Sequence, residues 1–214
     1  MKTTIISGVV LAILPAALAA QDFSGAYYGG SLSLGNAELD IADDNEYSSY
    51  GFTQMATPSA GISGRVGYNM QSGQMVFGPE LTVGFVALVD TEDATDFCSP
   101  SLSRNELSGV ATLAGRIGFA NDNMLVYGKV GAAYLYGEAA LQCDTAYTDA
   151  VDATMGIVSG LGVEYLMTSD YSVTFEYSSI TGLNEATSAD DDSEDEIVFN
   201  RDLSSFSVGV NYRF

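Results

Sequence analysis

Asp190-Asp191-Asp192-Ser193-Glu194-Asp195-Glu196 sets six carboxylates within seven residues. Carboxylate oxygens suit hard cations such as Ca2+ or Mg2+. The run lacks the alternation and central glycine of an EF-hand loop. Like charges repel and extend a chain. The plainer expectation for Asp190, Asp191, Asp192, Glu194, Asp195 and Glu196 is therefore a solvated acidic loop. Cys98 and Cys143 can form one disulfide in an oxidising compartment or stay as two thiols. A metal site needs more ligands than two Cys, and the chain has no histidine. A nucleophilic hydroxyl needs a base, usually His, and no substitute constellation of hydroxyl with carboxylate or Lys is visible. No enzyme is expected, and no cofactor beyond an ion at the acidic run. Arg65, Glu80, Arg116, Lys129, Glu164, Glu176 and Arg213 remain. They are scattered singly, so only a fold can bring them together.

The elements that could do so are strands. Apolar and polar residues alternate over 26–36, 59–69, 75–88, 107–119, 124–137, 154–167, 171–182 and 204–214. Alternation of period two places the two sets on opposite faces of a strand. Short polar turns sit at Met70-Gln71-Ser72-Gly73-Gln74, Asn121-Asp122-Asn123 and Thr168-Ser169-Asp170, with the Gly, Asn, Asp and Ser content of hairpins. Long connections near 37–58, 89–106, 138–153 and 183–203 alternate with them strictly. The spacing predicts an all-β fold: an eight-stranded antiparallel up-and-down transmembrane β-barrel with both chain ends at the short-turn end. The third strand fits least well. Phe85-Val86-Ala87-Leu88-Val89 is apolar on both faces, and Pro79 removes a ladder donor.

Periodicity alone leaves open which face is inside. A soluble barrel of lipocalin type would turn the apolar set inward. The charges favour the opposite. All seven scattered charges share the polar phase, four positive and three negative. Such a nearly balanced set suits a salt-bridged lumen, with Glu176 a candidate partner for Arg213. Glycines Gly61, Gly67, Gly118, Gly131, Gly160 and Gly162 on that phase leave room for it. A water-facing surface is usually about a quarter to a third charged, far more than these strands. Tyr28, Tyr68, Phe77, Phe119, Tyr165, Tyr171 and Phe214 flank the short turns or chain ends on the apolar phase, as an interfacial belt does.

Lys2, the apolar stretch Ile5–Leu18 and the small-x-small Ala17-Leu18-Ala19 read as a signal peptide over 1–20, with one barrel domain over 21–214. The apolar stretch is short of the ~20 residues a helix needs to span a bilayer. Cleavage removes Lys2 and takes the formal charge from -21 to -22. That acidity excludes a nucleic-acid partner, since phosphate binding requires Lys and Arg. The four long connections hold 5, 5, 4 and 8 of the 28 acidic residues, which sets the negative charge at one rim.

Several segments carry a family resemblance. They are Phe77-Gly78-Pro79-Glu80-Leu81, Val126-Tyr127-Gly128-Lys129-Val130-Gly131, Gly160-Leu161-Gly162-Val163-Glu164-Tyr165, Val173-Thr174-Phe175-Glu176-Tyr177 and Val208-Gly209-Val210-Asn211-Tyr212-Arg213-Phe214. The chain resembles bacterial outer-membrane β-barrel proteins of the OmpA-like, OmpX-like and opacity-porin type, in particular the porin-like barrels of alphaproteobacteria. The resemblance implies insertion by the barrel-assembly machinery, with Tyr212 and Phe214 as the aromatic C-terminal signal. It implies contact with outer-membrane lipid and lipopolysaccharide, short turns toward the periplasm and a monomer. Divalent ions at the acidic run would then bridge to lipopolysaccharide phosphates. No peptidoglycan-binding domain of the OmpA pattern is present in the sequence. Three functions stay open: a structural and surface-interaction role with a lumen filled by charged side chains, a narrow pore, and a soluble periplasmic ligand-binding barrel.

Overall fold

The computed structural model describes residues 21–43, 53–88, 101–105, 108–137, 139–143, 146–150, 153–183, 185–188 and 196–214. The expected signal peptide lies outside them. Among the described residues twelve strands are formed: β1 (Gly25–Asp43), β2 (Thr53–Ser72), β3 (Met75–Leu88), β4 (Ser101–Asn105), β5 (Gly109–Asn121), β6 (Met124–Tyr136), β7 (Ala139–Cys143), β8 (Ala146–Ala150), β9 (Ala153–Leu166), β10 (Tyr171–Gly182), β11 (Glu185–Ser188) and β12 (Glu196–Arg213).

Eight of these close into an antiparallel barrel in the order β1-β2-β3-β5-β6-β9-β10-β12, with β1 pairing back onto β12. The shortest, β10, has 12 residues. That exceeds the ~9–11 a tilted strand needs to cross hydrocarbon. The apolar phase faces outward. Leu32, Ile62, Phe85, Leu113, Ile117, Val130, Leu161 and Phe206 are all exposed. An apolar exterior of this extent would be a liability in water and is what a lipid environment requires. At the short-turn end the aromatics form a ring. Tyr212 touches Tyr171 (centroids 5.2 Å) and Tyr28 (5.5 Å), and Phe214 lies 6.2 Å from Tyr28.

The strands differ from expectation at the opposite end. Those bounding 37–58 and 183–203 run on: β1 reaches Asp43, β2 starts at Thr53 and β12 at Glu196. The β1–β12 ladder continues to Asp43↔Ile197. Composition hid this, because acidic residues such as Glu38 and Asp40 read as loop while the backbone ladder needs only N–H and C=O groups. A second sheet, β4-β7-β8, was also not anticipated. It pairs the second long connection with the third. Its strands are five residues each, too short for a period to show.

Two apolar layers lie inside the barrel. Val76, Ala120, Leu125, Leu166 and Phe23 pack together near the short turns. Leu135, Val158, Ile180, Leu203 and Ala37 pack toward the long connections, joined by Val86, Leu88 and Val110. The second layer explains the doubly apolar third strand: Phe85 and Ala87 face outward while Val86 and Leu88 line this layer.

Candidate functional site

Between the two layers sits a cluster of buried charges. Each barrel strand contributes to it or to its rim: Tyr27 from β1, Arg65 from β2, Glu80 from β3, Arg116 from β5, Lys129 and Tyr127 from β6, Glu164 from β9, Glu176 from β10 and Arg213 from β12. All are buried. The reason is the period of two: each of these positions falls on the inward phase of its strand.

Glu80 is the hub. It accepts a hydrogen bond from the Tyr27 hydroxyl at 2.8 Å and from Lys129 Nζ at 3.3 Å. The Arg116 and Arg65 guanidinium groups approach it to 3.5 and 3.9 Å. Glu164 accepts from Arg116 Nη2 and from Ser172 Oγ, both at 2.6 Å. Glu176 pairs with Lys129 Nζ at 2.7 Å and Arg65 Nη1 at 3.6 Å, and accepts from the Tyr127 hydroxyl at 2.8 Å. Three carboxylates thus face three cations. Arg116 also lies over the Tyr127 ring, 4.1 Å from its centroid, and donates to the Tyr27 hydroxyl at 2.9 Å. An unpaired charge at such depth would cost several kcal/mol, and hydrogen-bonded pairing offsets it.

Tyr27 and Tyr127 were not anticipated as members of this cluster. The signal that could have found them is their cross-strand pairing with glycine: Tyr27↔Gly67 and Tyr127↔Gly162. A Cβ on Gly67 would overlap the Tyr27 ring, and one on Gly162 the Tyr127 ring. The glycines clear space for the two phenols.

Arg213 does not meet Glu176, whose oxygens are taken by Lys129, Tyr127 and Arg65. Its Nη2 donates instead to the carbonyls of Asp22 (2.8 Å) and Ser24 (2.9 Å). Tyr212 and Phe214 face outward in the aromatic ring described above.

On the long-connection side the cluster opens onto a cavity of about 60 Å³, lined by serine and threonine hydroxyls, by Arg65, Lys129 and Glu176, and by apolar side chains such as Val86, Val158, Ile180 and Leu203. Its serines pair across strands, Ser31 with Ser63 at 2.7 Å and Ser178 with Ser205 at 3.2 Å. Cavities of this size and polarity hold a few water molecules.

Cys98 and Asp190, Asp191, Asp192, Glu194 and Asp195 lie outside the described residues. Glu196 opens β12, opposite Ser188 of β11. Cys143 ends β7, opposite Ser101, which follows Cys98 by three positions in the sequence. We expect a Cys98–Cys143 disulfide, motivated by this pairing of the two connections. Non-reducing peptide mapping should return one linked peptide; two alkylated thiols would remove the bridge.

A family model described as an outer membrane protein beta-barrel domain matches residues 6–214. The chain belongs to this family. A 22 kDa outer membrane protein of Rhizobium leguminosarum bv. viciae is similar to this outer membrane barrel, 30% identical over 119 residues, which are 55% of this chain and 51% of the relative. The match thus spans about half the length of that curated relative. Among solved structures, the outer membrane protein OprG from Pseudomonas aeruginosa is similar with a TM-score of 0.46 and 11% identity, covering 89% of this chain and 96% of that one. Ail, the attachment invasion locus protein of Yersinia pestis, is similar with a TM-score of 0.43 and 15% identity, covering 89% and 99%. The barrel is an outer-membrane protein, and its apolar exterior is the lipid-facing surface.

Proposed function

We propose that this protein is a closed outer-membrane barrel with a structural and surface-interaction role, neither a diffusion channel nor an enzyme. The observation that carries the reading is the charge cluster. Its contacts reach across the lumen from β2 to β10 and from β5 to β1, and skip one strand from β3 to β6 and from β5 to β9, so the side chains occupy the path a solute would take. An eight-stranded interior is just wide enough for side chains to fill it. The apolar layers on either side of the cluster add to the obstruction.

Catalysis finds little support in the same place. Ser172 donates to Glu164, a contact of the kind that activates a nucleophile. Both groups are fully buried, and the carboxylate is shared with Arg116. A substrate has no route to that hydroxyl. The surface role rests on the long connections, which hold 22 of the 28 acidic residues of the sequence.

A narrow pore is the second reading, favoured by the cavity of mixed polar and apolar lining beside the cluster. Single-channel recording in planar bilayers separates the two. The closed reading expects a flat trace at membrane voltages. Reproducible steps that scale with the number of inserted molecules would favour the pore.

A further inference from the structure

The four residues ahead of β1 are bound on every side. Phe23 is 0% exposed and packs among Val76, Ala120, Leu125 and Leu166. Its backbone N–H donates to Gln71 Oε1 at 2.6 Å. Gln71 Nε2 donates in turn to the carbonyls of Gln21 (3.3 Å) and Gly73 (2.9 Å). The Gln21 N–H donates to the Asp122 carbonyl at 3.0 Å. Arg213 holds the carbonyls of Asp22 and Ser24, and its guanidinium carbon lies 5.3 Å from the Phe23 ring centroid. The Arg213 N–H reaches the Asp170 carbonyl at 2.8 Å. Hydrogen bonds from Ser24 hold the Asp22 carboxyl below the usual carboxylate range, keeping a negative charge near Arg213. Gly25, at φ +113°, turns the segment into the barrel mouth, in a conformation that disfavours any side chain.

The segment touches two of the three short turns, and Arg213, which holds its carbonyls, joins it to the third and to the closing seam. We propose that Gln21–Ser24 is a latch that locks the β1–β12 seam, with Phe23 seated in the mouth and Arg213 fastening it. The seam is distinctive because its two strands come from opposite ends of the chain, with Tyr27 opposite Arg213. No short turn joins them, so nothing local holds them in register. Arg213 is also set apart from the other three lumen cations: they pair directly with three carboxylates, while Arg213 donates to peptide carbonyls with the Asp22 carboxylate nearby. Those carbonyls precede β1, so the grip spans the seam.

Amide hydrogen exchange on the folded barrel in detergent micelles tests the latch. The Phe23 N–H should exchange about a hundredfold more slowly than in a free peptide, as protected core amides do. Arg213→Met removes two hydrogen bonds from a charged donor. It should cut that protection about tenfold and speed unfolding in urea by a similar factor. Phe23→Ala should act in the same direction. The double variant should be no worse than the stronger single one, since both changes open one device. Should Arg213→Met fail to assemble, Gln71→Leu asks the same question from β2 and should also expose the Phe23 amide. Free-peptide exchange at Phe23 in the unmodified protein, or fully additive effects of the two substitutions, would overturn the latch.

Discussion

Glu80→Gln should lower the stability of the folded barrel by about 3–5 kcal/mol, the loss seen when one partner of a buried ion pair is removed. The substitution keeps the shape of the side chain and deletes its charge. Lys129, Arg116 and Arg65 then share two carboxylates in place of three, and the Tyr27 hydroxyl loses a charged acceptor. The urea midpoint of the protein in lipid vesicles, followed by the mobility of the folded form on gels, reads this directly. Adding Arg65→Met to Glu80→Gln restores the balance of two cations and two carboxylates. It should recover part of the loss, so the double variant should be more stable than the sum of the singles predicts. A drop below about 1 kcal/mol for Glu80→Gln would mean that the cluster is solvated like a surface ion pair.

Leu161→Arg should cost about 2–4 kcal/mol in lipid, the penalty for a cation on the lipid face at mid-membrane. Leu161 is 70% exposed and sits midway along β9, between Met155 and Tyr165 on the same phase. Tyr165→Arg, beside the short turn, should cost only about 0–1 kcal/mol, because the penalty falls toward the interface. Equal losses at the two depths, or a gain at Leu161, would show that the apolar face does not meet hydrocarbon.

Much of this molecule is legible in its sequence because a strand's period of two is sharp. Val126, Val130 and Tyr134 against Lys129 and Gly131 already separate the two faces of β6. Seven charges fall on one phase by the same parity, and their near-balance, with the glycines beside them, marks that phase as the lumen. Parity says nothing of partners, however. Which carboxylate meets which cation depends on barrel stagger, and side chains that reach across a lumen ignore sequence neighbours. Arg213 shows the limit well. Its acceptors are backbone carbonyls of Asp22 and Ser24, groups that every residue carries and no pattern marks. Tyr27 and Tyr127 are hidden for another reason: both sit on the inward phase, but neither carries a formal charge that would mark it as a member of the cluster. The outer extensions of β1, β2 and β12 escaped because a ladder beyond the hydrocarbon needs no apolar face.

The hairpins divide the charges unevenly. The β5–β6 hairpin carries Arg116 directly opposite Lys129, two cations and no carboxylate in the cluster. The β9–β10 hairpin carries Glu164 and Glu176, two anions. Like charges set opposite one another, as Arg116 and Lys129 are, weaken an isolated hairpin, and Glu164 and Glu176 lie diagonally, opposite Thr174 and Gly162. Neither hairpin is electrically content until the other stands beside it and the barrel curves enough for their inner faces to meet. Either hairpin alone leaves its charges without a partner, whereas in the closed barrel Arg116 meets Glu164 and Lys129 meets Glu176. Assembly in this chain gains an all-or-none character from electrostatics as well as from the closing of the sheet.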